Sequence, residues 1–205
     1  MCVRRKEAAS LPWKIPNIID AFVGTFHKFD EMTTYKGDPD GITWQFAVGD
    51  PDEHGWKQWR PLKFSTPRSA LDPLYARLPA RFPPLFEHLA LSYRWAKVDL
   101  QVYRLLANPP GENLDGLSSE ISRDPGLWEA LLPTGYMQFG QGPDIDYDPV
   151  CFDIKSRTQS GDYRVVKIDH EKILCNYRVK VVAELAPSFE ELVLQTIRRA
   201  SEMSP

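Results

Sequence analysis

Residues 135–192 read GYMQFGQGPDIDYDPVCFDIKSRTQSGDYRVVKIDHEKILCNYRVKVVAELAPSFEEL, and this stretch decides the fold. Four runs in it are rich in β-branched or aromatic residues, as strands usually are: 135–139, 150–154, 163–168 and 178–185. Ser160-Gly161-Asp162 predicts a hairpin turn between the second and third runs. Strands joined by such short turns pair antiparallel, so the stretch predicts an antiparallel meander.

A well-marked helix follows this meander. Ser188 and Glu191 form an S-x-x-E capping box, in which the serine side chain caps the helix that begins after it. The helix has one apolar stripe, made by Phe189, Leu192, Val193 and Ile197.

The residues before the meander predict several short, proline-punctuated elements. Asn17 is predicted to cap a helix that runs through Phe26, and a strand is predicted over residues 42–48. Leucines spaced over 71–78 indicate a helix that Pro79 ends, and further helices are predicted to begin at Pro83-Pro84 and at Asp124-Pro125. Residues 100–106 are predicted to form a strand. Together these elements predict an α+β fold with a mostly antiparallel central sheet flanked by helices.

Composition limits the class of protein. The chain has 205 residues, of which 42% are hydrophobic and 26% charged, so it can bury a substantial core. A net charge of -3 argues against nucleic-acid binding, which needs clustered cations. The sequence contains no run of about 18 apolar residues, so no membrane span is predicted. The three cysteines, Cys2, Cys151 and Cys175, are too scattered for a disulfide framework or a zinc site, and the last two are interpreted as buried thiols. We therefore expect a cytoplasmic protein without membrane association.

No pattern of catalytic or cofactor-binding residues emerges. Asp144-Ile145-Asp146-Tyr147-Asp148 could hold a hard cation, but the segment lacks the remainder of a calcium loop, and a solvated acidic loop is the simpler interpretation. Asp169-His170-Glu171 could supply acid–base groups, but a local turn at a strand end explains it as well. Gly140 and Gly142 lack the rest of a phosphate-binding motif. We therefore predict no catalytic residues, no metal and no cofactor.

The distribution of charge is more informative about binding. Residues 37–55 and residues 140–153 each contain several acidic side chains and no lysine or arginine. Two such segments could form a negative surface that attracts a cationic protein, although solubility alone would also explain them. Three tryptophans lie near the first segment and could anchor an interface or cover a small satellite core. The residues predicted to bind a partner are Trp44, Asp50, Asp52, Trp56, Asp144, Asp146, Tyr147 and Asp148.

From about Trp56 onward, the order of features resembles the SUKH superfamily, which includes bacterial immunity proteins and a fungal regulator of cell-wall glucan synthesis. The opening segments that carry the resemblance are Trp56, Trp59-Arg60-Pro61, the leucines of 71–78, Phe82-Pro83, Phe86 and Leu89. The central and closing segments are 135–140, Asp148, 150–153, 165–167, Asp169-His170-Glu171 and 186–192. Residues 1–55 and the long connection 109–133 have no counterpart in that pattern.

The resemblance implies a SUKH-like α+β domain over residues 56–200, with residues 1–55 as an N-terminal extension, a helix plus a turn-rich segment, that packs on it. It also implies non-catalytic protein binding, in bacteria often the neutralisation of a cognate toxin. Two alternatives stay open: a regulatory scaffold for an endogenous enzyme, and a metal-dependent hydrolase using Asp146, Asp148 and His170.

Overall fold

Short elements dominate the N-terminal half of the fold. The computed structural model describes residues 14–37, 43–111 and 113–203. The first elements are α1 (Lys14–Val23), α2 (Phe26–Phe29), β1 (Thr33–Tyr35), β2 (Ala47–Val48), β3 (Trp56–Trp59) and β4 (Leu62–Lys63). They are followed by α3 (Asp72–Tyr75), α4 (Pro84–Ser92) and β5 (Tyr93–Arg94). Strands β1, β3 and β2 form a small antiparallel sheet, and β4 pairs with β5.

The C-terminal half is built on one antiparallel sheet. Its strands are β6 (Val98–Asp99), β7 (Arg104–Leu105), β8 (Tyr136–Gln141), β9 (Pro149–Asp153), β10 (Arg164–Ile168) and β11 (Val181–Ala186). The spatial order is the chain order, from β6 at one edge to β11 at the other. Helices α5 (Asp115–Ile121) and α6 (Pro125–Leu131) lie between β7 and β8 in the chain, α7 (His170–Asn176) lies between β10 and β11, and α8 (Phe189–Glu202) ends the fold. The predicted α+β class with a mostly antiparallel sheet is confirmed.

The two faces of the sheet bury different sets of side chains because side chains alternate along each strand. On one face, Phe139 and Phe152 stack at 4.2 Å between ring centroids, and Phe86 of α4 and Phe189 of α8 pack edge-on against them. Helix α1 packs on α4 and α8 and extends this core. On the other face, α6 and α7 cover a smaller cluster of Leu127, Leu131, Tyr136, Cys151, Val166, Ile168 and Ile173.

Several element predictions are confirmed at their capping residues. Asp124 accepts a hydrogen bond from the backbone N–H of Leu127 and caps α6, and Ser188 does the same for Glu191 in α8. Proline starts α4 as predicted. The four strand runs of the meander become β8 to β11, and Gly161 adopts φ +82° in the turn before β10.

Other predictions were wrong. Asn17 does not cap α1, which begins at Lys14. Pro16 lies in the first turn of this helix, where a backbone N–H would have no partner within the helix, so a proline is tolerated there. The predicted strand over 100–106 is a hairpin of β6 and β7, which reverses where Gln101 adopts φ +68°. Residues 43–46 form a 3₁₀ turn, so only Ala47–Val48 is strand, and residue 42 lies outside the described residues.

Three further corrections concern the helices and a cysteine. The helix predicted over 71–78 shortens to α3, preceded by a 3₁₀ turn over Arg68–Leu71, although Leu71, Leu74 and Leu78 are buried as their spacing indicates. Asp169-His170-Glu171 begins α7 and is not a simple turn. Cys151 is buried as predicted, but Cys175 is exposed on α7.

Candidate functional site

A cleft of about 370 Å³ opens on the face of the sheet that α6 and α7 cover. Its walls come from α5, α6 and α7, and Gln138 and Gln141 of β8 also line it. Leu106, Leu127 and Leu174 supply the apolar part of the lining. The volume is within the range of roughly 300–1,000 Å³ that is usual for small-ligand pockets.

A buried carboxylate lies in the wall of this cleft. Glu120 is only 5% exposed. Its Oε1 accepts a hydrogen bond from Arg123, and its Oε2 forms an ion pair with Lys97 Nζ at 3.7 Å. That distance is too long for a hydrogen bond, and no donor reaches Oε2 within the described parts of the chain. Lys97 and Arg123 therefore balance the charge of this carboxylate, and the buried Oε2 atom is closed off from the cleft by the wall.

The cleft also contains a histidine with a fixed ring. The Asp148 Oδ1 atom lies 2.7 Å from His170 Nδ1 and also accepts the backbone N–H of His170 at 2.9 Å. Because an ionised carboxylate can only accept hydrogen bonds, Nδ1 carries a proton and donates it to Asp148. No partner of Nε2 lies among the residues that the structure describes, and the ring lines the cleft.

The loop between β8 and β9 forms one rim of the cleft and is held in place by side chains. Asp146 Oδ2 accepts a hydrogen bond of 2.8 Å from Lys167 Nζ on β10, and Asp146 Oδ1 accepts the backbone N–H of Asp148. Asp99 Oδ2 accepts the backbone N–H of Asp144. Burial raises the pKa of Asp146, but the hydrogen bonds from Lys167 and the Asp148 amide, with the charges of Lys167 and His170, outweigh burial and lower that pKa overall.

Gly142 explains why this loop needs a glycine. A Cβ atom at position 142 would collide with the side chain of Asp146, so the loop closes only over a residue without one. The N–H of Gly142 also donates to Asp148 O at 2.9 Å. The glycine therefore serves the packing of the loop.

The anchored loop presents apolar side chains to solvent. Ile145 is 85% exposed and Tyr147 is 62% exposed. Leu174, on the facing helix α7, is 52% exposed and lines the cleft together with Tyr147. Exposed apolar side chains grouped around a concave site, on a backbone that is already fixed, are typical of a binding surface.

On its other side, the same loop borders an acidic concavity. Asp30, Glu31, Asp99 and Asp144 line this second space, and Arg104 is the cation in its lining. Arg104 Nη2 lies 3.3 Å from Asp99 Oδ2. The concavity therefore carries formal charges of four carboxylates against one guanidinium, so it favours cationic groups.

The predicted partner-binding residues occupy two different places. Asp144, Asp146, Tyr147 and Asp148 lie together in the loop, but Asp146 and Asp148 are engaged with Lys167 and His170. Their carboxylates therefore act mainly inside the protein, and among the three aspartates Asp144 is the exposed one.

The predicted residues of the N-terminal part lie on and beside the small sheet. Asp50 is exposed, whereas Asp52 accepts the backbone N–H groups of His54 and Trp56 and so shapes the turn before β3. Trp56 is 42% exposed, and Trp44 is half-buried with Lys57 Nζ 5.3 Å from its ring. None of these residues lines either concavity in the described parts of the chain, and their role in partner binding stays a prediction.

Sequence reasoning missed the acidic residues Asp30, Glu31 and Asp99 and the cleft residues Glu120 and Lys97. Glu120 follows Leu117 by three residues on α5, and a carboxylate so close to an apolar face was the one available signal. The others come from separate segments that only the folded chain brings together.

Comparison with family models, with curated proteins and with solved structures gave no match. The SUKH resemblance therefore stays a prediction. Among the described residues, no helix is both long and apolar enough to cross a membrane. In the same residues, no group of three or more histidine, cysteine, aspartate or glutamate side chains is placed to hold a metal ion.

Proposed function

We propose that this protein is a non-catalytic binding module that recognises a basic partner protein through the loop between β8 and β9. The observation that carries the proposal is the exposure of Ile145 and Tyr147 on a loop that Lys167, His170 and Asp99 hold in one conformation. A fixed loop loses little conformational entropy on binding, so its apolar side chains contribute fully to affinity.

The charge of the neighbouring concavity supports a basic partner. Four carboxylates face one arginine there, and opposite charge on the partner would speed association and select against acidic proteins. In its narrower form, which follows the SUKH resemblance, the partner is a toxin domain and the module is an immunity protein. A regulatory scaffold that binds an endogenous enzyme would use the same surface.

Partner capture with matched variants tests the proposal. We expect a basic protein, cross-linked to the wild-type chain in its host cell, to be lost when Ile145 and Tyr147 are both changed to serine. The control changes Val181 and Val182 to serine, which removes two exposed apolar side chains from the edge strand β11 and should retain the partner. Equal capture by both double variants would refute the proposed surface.

The charge contribution is tested separately on the captured partner. Glu31→Gln with Asp144→Asn removes two exposed charges whose side chains make no hydrogen bond or ion pair in the described structure. We expect the association rate at low salt to fall severalfold, with little change at high salt. Asp72→Asn with Glu129→Gln removes two exposed charges outside the concavity and serves as the control.

One observation favours a second candidate, a hydrolase. The Asp148–His170 pair has the arrangement of a carboxylate that orients a general base, and its ring faces a cleft. Turnover of an ester or phosphoester by the purified chain, abolished in His170→Gln, would favour this candidate over the binding module.

A further inference from the structure

A basic pocket of about 370 Å³ lies where α7 meets its connection to β11. It is lined by Lys172 and Asn176 of α7 and by Arg178, Val179 and Lys180 of the connection. The lining thus holds three cations and no carboxylate, a formal charge of +3. We infer that the basic pocket binds the phosphate monoester group of a small soluble molecule. The inference goes beyond the proposed function, because this pocket shares no lining residue with the cleft or the acidic concavity.

The cations of the basic pocket lack the ion pairs that cations make elsewhere in this protein. In the cleft and in the acidic concavity, each lysine or arginine of the lining pairs with Glu120 or Asp99. Within the described part of the chain, the two lysines and the arginine of the basic pocket make no hydrogen bond or ion pair through their side chains. Asp169 and Glu171, the acidic residues nearest to Lys172 in the chain, do not line the pocket. Three like charges without a counterion repel one another, so a bound anion would relieve that repulsion.

The chain reversal after α7 brings these cations together on a fixed backbone. Tyr177 ends the helix with φ +52°, a left-handed conformation that turns the chain back along α7. The N–H of Arg178 then donates to Lys172 O at 3.1 Å. Two residues later, Lys180 O accepts the N–H of Asp169 at 3.0 Å. Because the backbone that carries the cations is already fixed, little conformational entropy is lost there when an anion binds.

Val179 attaches the basic pocket to the core of the protein. Its half-buried side chain packs against the smaller cluster that α6 and α7 cover. Its neighbours in the chain, Arg178 and Lys180, are exposed. The connection is thus held by the core at its middle residue, while the charged side chains on both sides stay accessible to a ligand.

The donors of the basic pocket match a phosphate monoester better than a carboxylate. A phosphate monoester carries a charge of about -1.5 to -2 at pH 7 and three acceptor oxygens. The guanidinium of Arg178 can donate two parallel N–H groups to two of these oxygens, and each lysine ammonium brings three donors. Asn176 adds an amide whose side chain makes no hydrogen bond in the described structure. A carboxylate would balance only one of the three positive charges, so the dianion is favoured.

Small probes test the inference on the whole chain without any partner protein. Glycerol phosphate supplies the monoester group, and acetate at the same ionic strength supplies a carboxylate. We expect glycerol phosphate to bind with a dissociation constant of about 1 mM, and acetate to bind about tenfold more weakly or less. Glycerol phosphate should shift the NMR signals of the Asn176 side-chain amide and of the Arg178 backbone amide. Equal binding of the two probes, or binding of neither, would overturn the inference. Sedimentation with vesicles of phosphatidic acid, without binding of glycerol phosphate, would also overturn it, because the phosphate would then come from a lipid surface.

Two double variants locate the phosphate site. Arg178→Gln with Lys180→Gln removes two of the three charges, and we expect it to weaken the binding of glycerol phosphate by about tenfold or more. Lys36→Gln with Arg60→Gln removes two exposed charges outside the basic pocket, so it is the matched control and should leave the affinity unchanged. Equal affinity of the two double variants for glycerol phosphate would contradict the assignment.

Urea unfolding without ligand separates a binding role of these cations from a structural one. Because Arg178→Gln with Lys180→Gln removes a like-charge repulsion at exposed positions, the variant should unfold at the same urea concentration as the wild-type chain or a slightly higher one. Weaker phosphate binding together with a lower unfolding midpoint would assign the cations to the fold and overturn the inference. None of these outcomes involves the Ile145 and Tyr147 variants, so the basic pocket and the proposed function can fail separately.

Discussion

At the scale of single residues, Asp162 joins two distant parts of the fold. Its carboxylate is buried and accepts three backbone N–H groups, from Tyr163 at 2.7 Å and from Phe189 and Glu190 at 3.0 Å each. One side chain thus fixes the start of β10 and the first turn of α8, next to the cap that Ser188 provides. Charge-assisted hydrogen bonds of this kind are stronger than neutral ones, and their loss leaves buried donors unsatisfied.

Substitution of Asp162 should therefore be severe for a loop residue. We expect Asp162→Ala to lower the free energy of unfolding by about 3 kcal/mol, because three buried N–H groups lose their acceptor. Asp169→Ala removes the cap of α7, where a single, more exposed hydrogen bond is lost. It should lower the free energy of unfolding by only about 1 kcal/mol. Urea unfolding of both variants gives the comparison. Equal losses of unfolding free energy in the two variants would show that Asp162 is an ordinary helix cap.

At the scale of elements, the loop between β8 and β9 should owe its rigidity to Lys167. Lys167→Met keeps the stem but removes the cation that holds Asp146, so we expect local opening to become easier by about 1 kcal/mol. Hydrogen exchange at the amides of Gly142 and Asp148 should then be roughly fivefold faster. Lys180→Met, at an exposed position before β11, is the control. Unchanged exchange in Lys167→Met would mean that the backbone alone holds the loop.

The loop should also respond to acid in a defined direction. The pKa of Asp146 is lower in the folded protein than its ordinary value, so the released loop takes up the proton more readily. The contribution of this anchor is therefore complete above about pH 4 and is lost as the pH falls through the lowered pKa.

Sequence reasoning succeeded where an element depends on its neighbours in the chain. The caps at Asp124 and Ser188 lie within three residues of the amides they bind, and the strands of the meander follow local β propensity. Helix α7 was missed because Ile173 is its only fully buried residue, which gives no periodic apolar stripe. The hydrogen bond between His170 and Asp148 spans 22 residues, so no local pattern could have revealed it.

At the scale of the whole molecule, the two N-terminal helices, α1 and α2, belong to the main core. Ile19, Phe22 and Phe26 are fully buried in the same cluster as Phe86 and Phe189. Burial of an aliphatic or aromatic side chain of this size contributes about 2 kcal/mol, so these three side chains contribute about 6 kcal/mol together. That sum is comparable with the whole stability of a typical domain, about 5–15 kcal/mol.

Residues 56–205 alone should therefore fold poorly, although the resemblance to SUKH proteins covers only that part. We expect the shortened chain to lose most of its cooperative unfolding transition in urea. In the full-length chain, Phe22→Ala should cost about 3–5 kcal/mol, because it leaves a cavity between α1, α4 and α8. Asn17→Ala, at an exposed position of α1, should cost little by comparison. If residues 56–205 unfold at the same urea concentration as the full chain, the two N-terminal helices are accessories to a core that is complete without them.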